Sequence, residues 1–169
     1  MATLARNNSF LAFFKPLRQK ELMRIFQLLD SQLISFLDVE TRDEAIDALI
    51  DVLDQSGKLP DKKNFRRAIF DRETLVSTGI GMGIAVPHAK LKEFSNFSIA
   101  IGIQQKKGLE WNALDTAPVR IIFMIAGPDN KQSEYLQILS QLTSAIKDVN
   151  LRKALLKADS AQEVLSLFA

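Results

Sequence analysis

Residues 118–128 read "PVRIIFMIAGP", a run of apolar side chains interrupted only by Arg120 and held between two prolines. Such a run without a helical period suits an interior strand covered on both faces. Upstream, "FSIAIGIQ" (Phe97 to Gln104) alternates and is rich in isoleucine, as a strand should be. "LISFLDV" (Leu33 to Val39) is a shorter apolar run that predicts another buried strand. Helical patterns lie between and after these. "TRDEAIDALIDVLDQSG" offers Thr41 as N-cap, Glu44 as its capping-box partner, one apolar face of Ala45, Ile46, Leu49, Ile50 and Leu53, and Gly57 as a stop. "LPDKKNFRRAIFDRETL" repeats the pattern with Asp61 as cap and Phe65, Ile69 and Leu75 at helical spacing. Residues 132–168 carry two further amphipathic blocks, with Asp159 or Ser160 capping a last short helix. Strands interleaved with helices predict an α/β architecture, a sheet between helical layers.

The composition narrows the chemistry. A chain of 169 residues is the size of one ordinary domain. With no cysteine, thiol chemistry, disulfides and thiolate metal sites are excluded, and a single histidine excludes a histidine-rich metal centre. No metal or other cofactor is expected. The net charge of +2 owes much to Arg6, Lys15, Arg18 and Lys20 near the start, so a nucleic-acid surface on the folded part is not expected. No segment approaches the ~20 apolar residues of a membrane span, and the run Phe10 to Phe14 is too short for a signal-peptide core. We therefore expect a cytoplasmic protein without membrane insertion. Residues 1–25 read as a tail or loosely attached element, with a docked amphipathic helix from about Pro16 to Leu29 as one reading, and residues 26–169 as the folded domain. On the second helix, Lys62 with Arg66 and Lys63 with Arg67 are each four apart. They form either a solvated face or a docking surface for an acidic partner.

The candidate site lies in "STGIGMGIAVPHAKL" (Ser77 to Leu91), which holds the only histidine. Gly79, Gly81 and Gly83 do not make a dinucleotide fingerprint, because Pro87 falls where the helix would propagate. They do not make a P-loop either, since no Gly-Lys-Ser/Thr follows. They suit a bulge, or a backbone that converges its N–H groups on an anion. Pro87 fixes its own φ and biases Val86 towards extended geometry, so His88 is presented from a stiff stalk. A neutral imidazole has one nitrogen lone pair and can attack phosphorus, given a cation and backbone donors for the phosphoryl oxygens. Which nitrogen attacks is open at this point. Arg72, just before the glycine run, is the candidate cation, and its fork suits phosphoryl oxygens. The competing reading pairs Arg72 with Asp71 or Glu73 at the surface.

"FRRAIFDRETLVSTGIGMGIAVPHAKL" resembles the active-site region of the enzyme IIA domains of the bacterial phosphoenolpyruvate-dependent phosphotransferase system, mannitol/fructose type, and among them the nitrogen-regulatory IIA proteins. Arg72-Glu73, Thr78, Gly81, Gly83, Ile84, Ala85, Pro87 and His88 fall on the family pattern in order and spacing. The resemblance extends more loosely over about Leu33 to Leu167. It implies a single domain with a mixed β-sheet of about five strands flanked by helices on both faces. It also implies that His88 accepts a phosphoryl group from an HPr-like phosphocarrier protein, with Arg72 balancing its charge and Thr78, Gly81 and Gly83 in the pocket. Family members commonly carry a second histidine where this chain has Tyr135. Tyrosine can donate a hydrogen bond to the phosphoryl group but cannot become cationic, which puts rapid onward transfer to a IIB component in doubt.

"PHAKL", with Lys90 and Leu91, is similar to the nitrogen-regulatory continuation, so the expected role is regulatory, with the phosphorylation state read by a downstream target. The alternatives are a sugar-specific IIA subunit relaying phosphate to a IIB component, a non-phosphorylated binding module, and a nucleic-acid binder using the basic tail and the Lys62 to Arg67 face.

Overall fold

The computed structural model describes residues 25–169. The tail and most of the helix considered for residues 16–29 lie outside the described residues. Ile25 is already buried in the core.

A 3-10 turn (Ser31–Leu33) leads into β1 (Ile34–Leu37). Helix α1 (Arg42–Gln55) begins as its sequence predicts. The Thr41 hydroxyl accepts from the Glu44 N–H, and the Glu44 carboxylate accepts from the Thr41 N–H. It ends in a Schellman arrangement, with Lys58 N–H on the Leu53 carbonyl, Gly57 N–H on the Asp54 carbonyl and Gly57 at φ 68°. Helix α2 (Lys62–Leu75) is capped by Asp61, whose side chain accepts from the Asn64 N–H. Then come three short strands, β2 (Gly79–Gly81), β3 (Ile84–Ala85) and β4 (His88–Lys90), and two long ones, β5 (Ser98–Gln104) and β6 (Ile121–Gly127). Helices α3 (Gln132–Ile146), α4 (Val149–Lys157) and α5 (Ala161–Ser166) complete the chain. Ser160, rather than Asp159, caps the last of these, accepting from the Glu163 N–H.

The six strands form one mixed sheet in the order β1-β5-β6-β3-β2, with β4 also beside β6. β5 and β6 are antiparallel, while β1 runs parallel to β5 and both β3 and β4 run parallel to β6. Both long strands are buried along their whole length, although the alternation in β5 suggests only one covered face. Helices on both sides explain the difference. Ala100, Ile122, Met124 and Ala126 face a core built with α1 and α2, including Leu49, Leu53, Phe65 and Ile69. Ile99, Ile101, Ile103, Ile121, Phe123 and Ile125 face a second core with Ile138, Leu142 and Leu155 from the C-terminal helices and Phe168 just beyond the last of them. The alternation in β5 thus separates small residues under α1 from branched ones on the other side. Gly102 shows the size limit, since a Cβ there would stand 2.8 Å from Leu37 Cδ1 and 3.1 Å from Leu49 Cδ1.

The basic face of α2 is partly neutralised within the fold. Lys62 reaches Asp51 at 2.7 Å, and Arg66 forks onto Asp47 with its Nε at 2.6 Å and Nη2 at 2.9 Å. Lys63 and Arg67 instead line an open cleft with Phe70. Among the described residues, no helix is long and apolar enough to cross a membrane.

Candidate functional site

The glycine run is a tight hairpin. β2 and β3 pair antiparallel with a bulge between Gly79 and Gly81, and Met82 and Gly83 make the two-residue turn. Both have positive φ, 58° and 75°, the conformation of a type I′ turn, which is why glycine suits position 83. Asp115 holds the turn by accepting from the Met82 N–H at 2.8 Å. A Cβ on Gly81 would meet that carboxylate at 2.9 Å. Gly81 and Gly83 therefore shape the hairpin at the far end of β3 from His88.

β3 and β4 behave as one strand broken in the middle. Ile84 and Ala85 align with Ile121 and Ile122, and His88, Ala89 and Lys90 align with Ile125, Ala126 and Gly127 in the same register. Val86 turns its N–H to the Thr78 carbonyl, and Pro87 has no N–H to give. The Val86 carbonyl faces the same side as its N–H, away from β6, and the Nδ1 of His88 lies 2.9 Å from it. A carbonyl only accepts, so in the neutral ring Nδ1 carries the proton and Nε2 carries the lone pair. Arg72 makes the complementary contact, its Nε–H directed at His88 Nε2 over 3.3 Å.

Arg72 sits in the last turn of α2, where a cation also complements the helix dipole. Its Nη1 donates to the Val76 carbonyl at 2.8 Å, which fixes the guanidinium on the ring. The competing sequence reading, with Glu73 as its surface partner, is corrected here. Glu73 turns inward and is buried, accepting from the Thr78 N–H at 3.0 Å and the Thr78 hydroxyl at 2.5 Å. Thr78 in turn accepts from the Trp111 indole N–H at 3.1 Å, and the Ser77 hydroxyl donates to the Trp111 carbonyl at 2.5 Å. The Thr78 hydroxyl is thus committed to a buried network that ties the end of α2 to β2. Glu73 falls on the family pattern beside Arg72, whereas Trp111 carries no site signal in the sequence, because its contact with Thr78 joins distant segments.

Tyr135, in the first turn of α3, closes the other side. Its ring centroid lies 5.4 Å from that of His88 at an interplanar angle of 40°. Phe97 stacks on it at 6.4 Å, and the Lys90 ammonium stands 4.4 Å from its centroid. Gln132, one turn before Tyr135, accepts a hydrogen bond from Lys90. The structure therefore brings Arg72, His88, Lys90 and Tyr135 together, commits the Thr78 hydroxyl to Glu73 and Trp111, and places Gly81 and Gly83 at the hairpin.

Burial holds the His88 imidazole below its ordinary pKa of 6.5, with the Arg72 and Lys90 cations pushing the same way against the Val86 carbonyl and the Glu73 carboxylate. Burial raises the Tyr135 phenol above its ordinary value, so the hydroxyl keeps its proton at neutral pH. Because the folded value for His88 lies below the unfolded one, its contribution to stability is present above pH 6.5 and is lost as pH falls through the folded value. A proton NMR titration of the lone histidine is expected to give a midpoint below 6.5. A midpoint at or above that value would contradict this electrostatic picture.

The family model for the phosphoenolpyruvate-dependent sugar phosphotransferase system, EIIA 2, matches residues 27–169. The fructose-specific EIIABC component of Bacillus subtilis is 37% identical over 147 residues, covering 86% of this chain and 23% of that protein. The chain thus spans about a quarter of that relative's length. The fructose-specific EIIA component of Haloferax volcanii is 33% identical over 129 residues, covering 76% of this chain and 83% of the relative. Among solved structures, the nitrogen regulatory protein IIA-Ntr of Neisseria meningitidis superposes with a TM-score of 0.79 at 26% identity, over 86% of this chain and 99% of that one. The chain therefore belongs to the EIIA 2 family of the phosphoenolpyruvate-dependent sugar phosphotransferase system.

Proposed function

We propose that this protein accepts a phosphoryl group on Nε2 of His88 from the phosphohistidine of an HPr-like carrier, in the cytoplasm, and that a partner protein reads the phosphorylation state. The observation that carries this is the paired contact on the ring, with Nδ1 on the Val86 carbonyl and Arg72 on Nε2. It leaves the attacking lone pair on the nitrogen beside a guanidinium, where the incoming negative charge is stabilised. The Nε2 lone pair forms the new N–P bond as the bond from phosphorus to the carrier's histidine nitrogen breaks, and that electron pair returns to the carrier's imidazole. Nδ1–H stays on Val86, so the phosphorylated ring is an imidazolium, while the carrier's ring, protonated on its other nitrogen, leaves as neutral imidazole; charge balances and no proton needs a new acceptor. Arg72 then turns its Nε–H hydrogen bond from the ring nitrogen to a phosphoryl oxygen, keeping its proton.

The regulatory reading is supported by the likeness to IIA-Ntr and by Lys90-Leu91 after the site histidine. A second reading, relay of phosphate to a IIB component in sugar uptake, is favoured by the 37% and 33% identities to fructose-specific proteins. The test is incubation with the purified general phosphotransferase components and phosphoenolpyruvate, followed by intact-protein mass. One acid-labile phosphoryl group per chain is expected. No modification under conditions that phosphorylate a control IIA would overturn the proposal in favour of a binding module. Transfer onward to a sugar-specific IIB at the rate of that control would favour the second reading over the regulatory one.

A further inference from the structure

A phosphoryl group on His88 brings about two negative charges into a half-buried site; facing them are the ring itself, cationic while Nδ1 keeps its proton, and Arg72, which already gives one donor to the Val76 carbonyl. A second cation beyond the ring is close by. Lys90 is two residues along β4 from His88, so the two side chains leave the same face of the strand. The ammonium stands over the Tyr135 ring, which itself lies against the His88 ring. Gln132, three residues before Tyr135 and on the same face of α3, accepts from it.

Lys90 differs from other ordered lysines in what holds it. Lys62 and Lys106 each reach an aspartate at 2.7 Å, which offsets their charge locally. Lys90 is held by an aromatic face and a neutral amide oxygen, and among the described residues no carboxylate lies within ion-pair distance of it. Its positive charge therefore acts on its surroundings without a counter-ion, and the depressed basicity of His88 already registers it. Tyr135 contributes no charge of its own, but its ring, backed by Phe97, fixes where the ammonium stands.

We infer that Lys90 is the second cation of the phosphoryl site, seated on Tyr135, and that it leaves the Gln132 oxygen to bind a phosphoryl oxygen when His88 is phosphorylated. The inference rests on the proposed function and assigns the charge balance of that same site. Arg72 and Lys90 approach the phosphoryl group from two sides, one from the end of α2 and one along β4. The tyrosine serves as a positioning residue that keeps the lysine near without neutralising it.

The test compares wild type, Lys90→Met, Lys90→Arg and Tyr135→Leu. Methionine keeps an apolar stem over the ring and removes the charge, whereas arginine keeps the charge. Three quantities are measured: the equilibrium extent of phosphorylation against the carrier, the second ionisation of the phosphoryl group by phosphorus NMR, and the His88 pKa in the unphosphorylated protein. Lys90→Met is expected to shift the phosphorylation equilibrium about tenfold against the phospho form. It should also raise the phosphoryl ionisation, because the dianion loses a stabilising cation, and raise the His88 pKa, because the ring loses a repelling one. Lys90→Arg should restore all three, and Tyr135→Leu should move them in the direction of Lys90→Met. A Lys90→Met protein with wild-type equilibrium and wild-type phosphoryl ionisation would overturn the assignment of Lys90 alone. Failure of wild type itself to take up phosphate would overturn the proposed function and this inference with it.

Discussion

His88→Ala is expected to abolish phosphoryl acceptance, and Arg72→Ala to slow it by about 10²–10³-fold, the range found when one preorganised charge-stabilising donor is removed. The two losses differ in kind. Without the imidazole there is no lone pair, since the chain has no other histidine and no cysteine. Without Arg72 the ring keeps its tautomer through Val86, so attack remains possible but the charge arriving at Nε2 meets only Lys90. Arg72→Lys should recover only part of the rate. Arg72 makes two directed contacts, Nε–H to the ring and Nη1 to the Val76 carbonyl, and an ammonium cannot keep both in the same plane. Quenched-flow phosphorylation at saturating carrier would measure this. An arginine variant as fast as wild type would remove Arg72 from the mechanism.

Gly127→Ala is expected to lower stability by about 3 kcal/mol, the upper end of what overpacking costs. For a domain of this size that is a fall in Tm of roughly 6–12 °C. A Cβ at Gly127 would lie 2.0 Å from Phe97 Cδ1, 2.3 Å from Cε1 and 2.8 Å from Cγ. Phe97 is itself buried and cannot swing into solvent without exposing its ring. The clash also reaches the site. Phe97 backs Tyr135, Tyr135 seats Lys90 and touches His88, and Lys90 pairs with Gly127 itself across the sheet. The variant should therefore lose acceptance as well as stability. An alanine protein that melts with wild type would show that Phe97 relaxes without cost.

The parts of this fold that sequence reveals are those fixed by local rules. The Thr41–Glu44 cap, the Gly57 stop and the apolar runs that become β5 and β6 each depend on neighbours within a few residues. What sequence hides is set by partners far along the chain. β3 and β4 are too short, and too broken by Pro87, to show a strand period, and they exist because β6 offers one register to both. The site divides along the same line. His88 and Arg72 stand out by residue type and spacing, whereas the Glu73–Thr78–Trp111 network and the seat of Lys90 on Tyr135 require elements brought together by the sheet. Thr78, placed by resemblance in the phosphoryl pocket, has its hydroxyl engaged with Glu73 and Trp111.

β6 is the shared neighbour of nearly everything the histidine needs. The ring stands on the strand beside it, Arg72 comes from a helix packed on that strand, and Tyr135 comes from the helix that follows β6. A copy of the chain that has not closed its sheet possesses the nucleophile but neither its orientation nor its cations. Under the proposed function, phosphate uptake on His88 would double as proof of correct assembly: only molecules that have finished folding would enter the relay, and the signal would count native protein rather than total protein.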